Sequence, residues 1–125
     1  MNSNTNTDYL NGYIILYNKV INFILKFKSA SDCFLNGCCY WFSNILRMRF
    51  IPCDDVVISI VYDQNEDHFL TKFYFPFINI TRLFDIRGDV TDMYDCESLK
   101  ELHTIRREDN LLYDRLNRDR IKLET

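Results

Sequence analysis

Glycine and proline are scarce in this chain, with 3 Gly and 2 Pro among 125 residues. A collagen-like or low-complexity chain is excluded, because both need those residues in quantity. So few glycines also build neither a P-loop nor a G-x-G-x-x-G turn, which removes the glycine-rich phosphate cradles. Positive charge is not in excess: 15 Lys/Arg stand against 18 Asp/Glu, for a net charge of −3. A general nucleic-acid binder needs the opposite balance, so nucleic acid is not the expected partner. The apolar run from Tyr13 to Phe27 is interrupted by Asn18, Lys19, Asn22 and Lys26. A membrane span needs about 20 apolar residues in sequence, so no membrane partner is expected. The first seven residues are rich in Asn, Thr and Ser and carry no basic stretch, and no secretory leader is read there.

Cysteine is present in an odd number: Cys33, Cys38, Cys39, Cys53 and Cys96. An odd count suits a reducing compartment better than a disulfide framework, and a cytoplasmic protein is expected. No C-x-x-C pair occurs, which argues against zinc. The acidic turn of Asp63, Glu66 and Asp67 reads as solvated rather than metal-binding. No metal and no cofactor are expected.

Large apolar residues are abundant, with 47% hydrophobic and 15% aromatic residues. That content forces collapse rather than disorder, and the length fits one domain spanning 1–125. Residues 1–7 are expected to fray. Residues 8–28 predict a helix, with Leu10, Ile14, Tyr17, Ile21 and Ile24 in one stripe and Tyr13, Leu16, Val20, Phe23 and Phe27 beside it. A helix apolar on two sides covers the sheet alone or also meets a second copy, so a homodimer is one expectation. Asn36-Gly37 closes a connector. A second helix is expected from Cys38 to about Phe50, ended by Pro52. Val56–Tyr62, His68–Phe75 and Phe77–Ile86 read as three strands, being rich in β-branched and aromatic residues. Residues 95–125 form a charged segment, read as helical over 95–122. The fold class is therefore α+β, with N-terminal helices on a small antiparallel sheet of about three strands and a C-terminal helix.

With 2 histidines in the chain, candidate chemistry is easily enumerated. His103 falls in the charged segment and reads as a surface residue. His68 begins a strand. Cys39 begins a helix, where free backbone N–H groups and the helix dipole stabilise a thiolate. It also heads the stripe Cys39, Phe42, Leu46 and Phe50, which is expected to pack on the sheet. A hairpin centred on Pro76-Phe77 sets Asp85 opposite His68, and directly paired residues share a face. Asp85 then orients the imidazole and His68 serves Cys39. That hairpin works only with an even number of loop residues, since an odd number turns Asp85 to the other face.

Asn36-Gly37-Cys38-Cys39-Tyr40-Trp41-Phe42, His68-Phe69 and Phe84-Asp85-Ile86-Arg87-Gly88 together resemble a group of small phage and prophage proteins. These are similar to minimal papain-like or transglutaminase-like cysteine enzymes, with Cys, His and Asp in that order. The resemblance covers about residues 33–90. It implies a papain-like minimal core with Cys39 as nucleophile, His68 as general base and Asp85 as orienting residue. Cys33 stands where such enzymes carry an oxyanion-hole Gln, so Asn36 or backbone N–H groups near Cys39 are expected to serve instead. The implied activity is that of a cysteine hydrolase or acyl transferase acting on a protein or other acyl substrate, in the host cytoplasm if phage-encoded. The rival expectation is a non-enzymatic anti-defence protein, such as an anti-CRISPR inhibitor, that occludes a host immune protein. Its working surface would be the aromatic group Phe73, Tyr74, Phe75 and Phe77, whose other reading is core packing.

Overall fold

The computed structural model describes residues 6–30, 34–35 and 38–102. Helix α1 runs Asn6–Leu25, with Asp8 in its first turn to complement the positive end of the helix dipole. Lys26 N and Phe27 N bond back to Phe23 O and Ile24 O at 3.1 and 2.9 Å, tightening its last turn. Helix α2 runs Cys39–Phe50 and buries Cys39, Phe42, Ser43, Leu46 and Phe50, the expected stripe with Ser43 added. Pro52 follows in the turn that ends it, where its missing N–H costs no helical bond.

Five antiparallel strands follow: β1 Val57–Asp63, β2 His68–Phe75, β3 Ile80–Asp85, β4 Gly88–Asp89 and β5 Lys100–Leu102, in spatial order β4-β3-β2-β1-β5. The sheet therefore has five strands rather than the expected three, so the minimal core expected above is not the one observed. β4 arises because the chain turns back through Ile86-Arg87 and pairs Gly88 with Asp85, Gly88 adopting φ 108°, a conformation costly for other residues. β5 pairs with β1, Ile60 opposite Leu102 and Tyr62 opposite Lys100.

The expected helix over 95–122 is likewise corrected at its start. Cys96–Ser98 is a single 3₁₀ turn capped by the Asp95 carboxylate, which accepts from Glu97 N at 3.1 Å, and Lys100–Leu102 is a strand. The expected fraying over 1–7 is corrected at Asn6 and Thr7, which belong to α1, while residues 1–5 and 103–125, His103 among them, lie outside the described residues. Tertiary context explains the difference. Val61, Leu70, Leu83 and Val90 are buried on one face of the sheet, with Tyr94, Cys96 and Leu99 packed against them. Irregular chain over 90–99 lays these side chains across that face.

The other face carries both helices. Phe42, Leu46 and Phe50 of α2 and Val20 and Ile24 of α1 pack with Ile58, Phe73, Phe75 and Phe84. Tyr17 donates to Asp89 at 2.8 Å and Arg82 donates to the Tyr13 hydroxyl at 3.0 Å, pinning α1 across β3 and β4. Leu10 and Ile14 stay exposed, so among the described residues only part of the two-sided apolar pattern of α1 is covered. Among the described residues, no helix is long and apolar enough to cross a membrane.

Candidate active site

Three chain termini of regular structure meet at one end of the sheet. Cys39 is the first residue of α2, His68 the first of β2 and Asp85 the last of β3. All three are buried, at 3%, 6% and 2% exposure.

The strand register brings His68 and Asp85 together in a different way from the one expected. Phe75 pairs with Ile80 and Thr71 with Phe84, so the β2–β3 turn spans four residues, 76–79, instead of the two of Pro76-Phe77. Asn79 takes φ 53°, a left-handed conformation that Asn tolerates better than most residues. Asp85 consequently falls diagonal to His68, not opposite it. The loop length is still even, so the two side chains remain on one face, and diagonal neighbours lie within reach of long side chains. His68 Nε2 and Asp85 Oδ2 are 2.9 Å apart.

The thiol arrives from the other side. Cys39 packs with Ile60 and Phe69, beside the half-buried Tyr40, Trp41 and Tyr62. By strand alternation His68 belongs with Leu70, on the face away from the helices. The two are nevertheless neighbours, because each is terminal in its element, and Cys39 lies close enough at the end of the sheet to raise the His68 pKa. With Nε2 on Asp85, the nitrogen left for the thiol is Nδ1.

Burial by itself would push the His68 pKa down, since a charged ring loses its hydration there. The hydrogen bond to Asp85 and the nearby Cys39 outweigh burial and raise it to about 9. Burial likewise opposes ionisation of Asp85, but the bonds from His68 and Arg87 hold its pKa below the ordinary carboxylate value. At neutral pH the pair is imidazolium and carboxylate.

Residues outside the expected trio complete the site. Arg87 donates from Nη2 to Asp85 Oδ2 at 2.6 Å, from Nε at 3.0 Å, and from its backbone N to Oδ1 at 2.7 Å. The same Nη2 donates to the Tyr94 hydroxyl at 3.0 Å, and Tyr94 donates to Glu66 Oε1 at 2.8 Å. The Tyr94 ring lies nearly parallel to the His68 imidazole, with centroids 6.3 Å apart and an interplanar angle of 20°. Opposite charges two residues apart at a strand end, Asp85 and Arg87, are the signal that could have found Arg87. Nothing in the local sequence marks Tyr94, which comes from the covering segment.

The remaining candidates divide. Asn36 and Cys33 lie outside the described residues. Phe73 is buried in the core, and Phe75, also buried, reaches the core with it. Tyr74, half-buried, donates to the Asn79 side chain at 3.3 Å. Phe77 alone of the four is exposed, and it stacks on Tyr9 with centroids 4.4 Å apart. In the acidic turn, Asp63 Oδ2 accepts from Glu66 N at 3.1 Å and Asp67 accepts from the Tyr62 hydroxyl at 2.5 Å. Among the described residues, no group of three or more His, Cys, Asp or Glu is arranged to hold a metal ion.

The fold and the site together define an α+β protein carrying a buried Cys-His-Asp arrangement backed by an arginine. No protein-family model, curated protein or solved structure matches the chain.

Proposed function

We propose that the protein is a small cysteine hydrolase or acyl transferase in which Cys39 attacks, His68 carries the proton and Asp85 orients the ring. The observation that supports this reading is the His68 imidazole bonded to Asp85 at 2.9 Å at the end of the sheet where Cys39 opens α2, close enough to raise the His68 pKa. Cys39 attacks as the thiolate beside the His68 imidazolium. The thiolate adds to a substrate carbonyl and the resulting oxyanion is met by backbone N–H groups near the start of α2. The His68 imidazolium then gives its Nδ1 proton to the leaving amine or alcohol as the carbonyl re-forms, leaving a thioester on Cys39. His68, now neutral, takes a proton from the incoming water or acceptor. That second nucleophile releases the acyl group and the thiolate. Cys39 is 3% exposed within the cluster of Ile60, Phe69, Tyr40, Trp41 and Tyr62, so entry of the acyl group requires side chains of that cluster to move. The substrate class is an amide, ester or isopeptide carried on a protein, with the host cytoplasm as the place of action.

Iodoacetamide labelling at pH 6 followed by mass spectrometry tests the reading. An ordinary thiol with a pKa of about 8.5 is almost wholly protonated at that pH and labels slowly. Cys39 is expected to label at least tenfold faster than Cys38, Cys53 and Cys96, and His68→Gln to abolish the difference. Uniformly slow labelling of all the cysteines overturns the reading.

The second reading, a non-enzymatic anti-defence protein that blocks a host immune protein, would work through another part of the surface. A cavity of about 260 Å³ opens between α1 and the β2–β3 turn, lined by Tyr9, Tyr13, Phe75 and Phe77 among others. It lies at the opposite end of β2 from His68, about 20 Å away at roughly 3.3 Å per strand residue. Under this reading Cys39→Ala leaves the biological effect intact and Phe77→Ala removes it; under the first the outcomes are reversed.

A further inference from the structure

Resting on the enzymatic reading above, we propose that Arg87 is a positioning residue: it fixes the Asp85 carboxylate in one orientation and thereby aims the His68 ring at Cys39. The carboxylate is held from three directions. Two guanidinium nitrogens and the Arg87 backbone N bond it at 2.6, 3.0 and 2.7 Å, which leaves Oδ2 aligned on His68 Nε2 at 2.9 Å. A two-pronged arginine fixes the carboxylate plane as well as its position. Arg87 is itself held, because its Nη2 also donates to Tyr94, whose hydroxyl is anchored on Glu66.

The charged and titratable groups around Asp85 can be named element by element. His68 faces it from β2, and Arg87 from its own turn. Tyr94 and Glu66 reach it through Arg87, from the covering segment and the β1–β2 turn. Cys39 reaches it through His68, and Asp63 is the cross-strand partner of His68. Arg87 and the His68 imidazolium are both bonded directly to the carboxylate, and Arg87 is the permanently charged one. Removing an opposite charge at this distance raises a carboxyl pKa by about 1–3 units. Once Asp85 protonates, the imidazolium loses its partner and Cys39 loses its activation.

The test is the pH profile of Cys39 alkylation by iodoacetamide, measured on the full chain from pH 3.5 to 8. In Arg87→Ala the acid-side half-point is expected to move up by about 1 unit or more. Arg87→Lys, which keeps the charge without the fork, is expected to recover part of that shift, as is added guanidinium at millimolar concentration. Tyr94→Phe keeps the ring and removes the hydroxyl that steadies Arg87, so it is expected to move the half-point in the same direction by less. It also guards against a failure of Arg87→Ala to fold. A merely structural arginine lowers melting temperature without moving the half-point. The proposal is overturned if the half-points of both variants coincide with the unmodified protein while His68→Gln abolishes fast labelling. If His68→Gln has no effect on the unmodified profile, the enzymatic reading itself is what fails.

Discussion

Asp85 illustrates how much a single buried carboxylate is asked to do here. It is 2% exposed, accepts from the Arg87 side chain and backbone, and partners His68. Isolated, such a charge would be expelled by its own desolvation; with these partners it stays ionised. Asp85→Asn keeps the shape but removes the charge that faces both cations. Urea unfolding at pH 7 is expected to show a loss of about 3 kcal/mol, the range for breaking a buried pair from one side. Fast labelling of Cys39 should disappear in the same variant. Cys39 and His68 could be singled out from the chain because each opens an element and histidine is rare. Arg87 shows in the chain only as an opposite charge two residues from Asp85, and Tyr94 not at all, because its role depends on which backbone segments lie side by side.

At the scale of elements, the β2–β3 hairpin decides whether the site exists. Pro76-Phe77 cannot make the tight two-residue turn, which favours Gly or Asn in left-handed conformations. The chain therefore adds two residues and closes on Asn79, at φ 53°. Parity survives, and with it the shared face of His68 and Asp85. Asn79→Ala places a side chain less tolerant of this conformation there. Thermal unfolding is expected to register a cost of about 1 kcal/mol, with Asn79→Gly close to neutral. A one-residue deletion in 76–79 would instead turn Asp85 to the helix face. The helices were readable from their apolar stripes, as was the strand character of β1, β2 and β3. The short strands β4 and β5 were not: a pair of residues such as Gly88-Asp89 has no periodicity to read, and Lys100–Leu102 has the composition of a helix. Pairing with β3 and β1 supplies what their own propensities lack.

Across the whole molecule, the site leaves a signature in stability. The folded-state pKa of His68 is about 9, raised above the ordinary value near 6.5. A raised pKa means the folded state binds this proton more tightly than the unfolded chain. Its stabilisation is fully present below about pH 6.5 and is lost as pH rises through about 9. Urea unfolding between pH 6 and 9.5 is expected to show stability falling over that window. His68→Gln should flatten the dependence, and an unchanged slope in that variant would assign it to other groups. Asp85 acts with the opposite sign, its contribution present at neutral pH and lost in acid.

The α+β class, the two helices and the identity of the Cys39, His68 and Asp85 candidates follow from local rules. Stripe spacing, β-branched runs and the chemistry of a cysteine at a helix start act within a few residues and can be read from the chain. The five-strand order, the burial of Phe73 and Phe75, and the Arg87–Tyr94–Glu66 support of the site are decisions of the folded molecule. They depend on which surfaces need covering and which turn length closes without strain. Those are properties of segments brought together, such as residue 94 laid beside residue 68, and no local pattern encodes them.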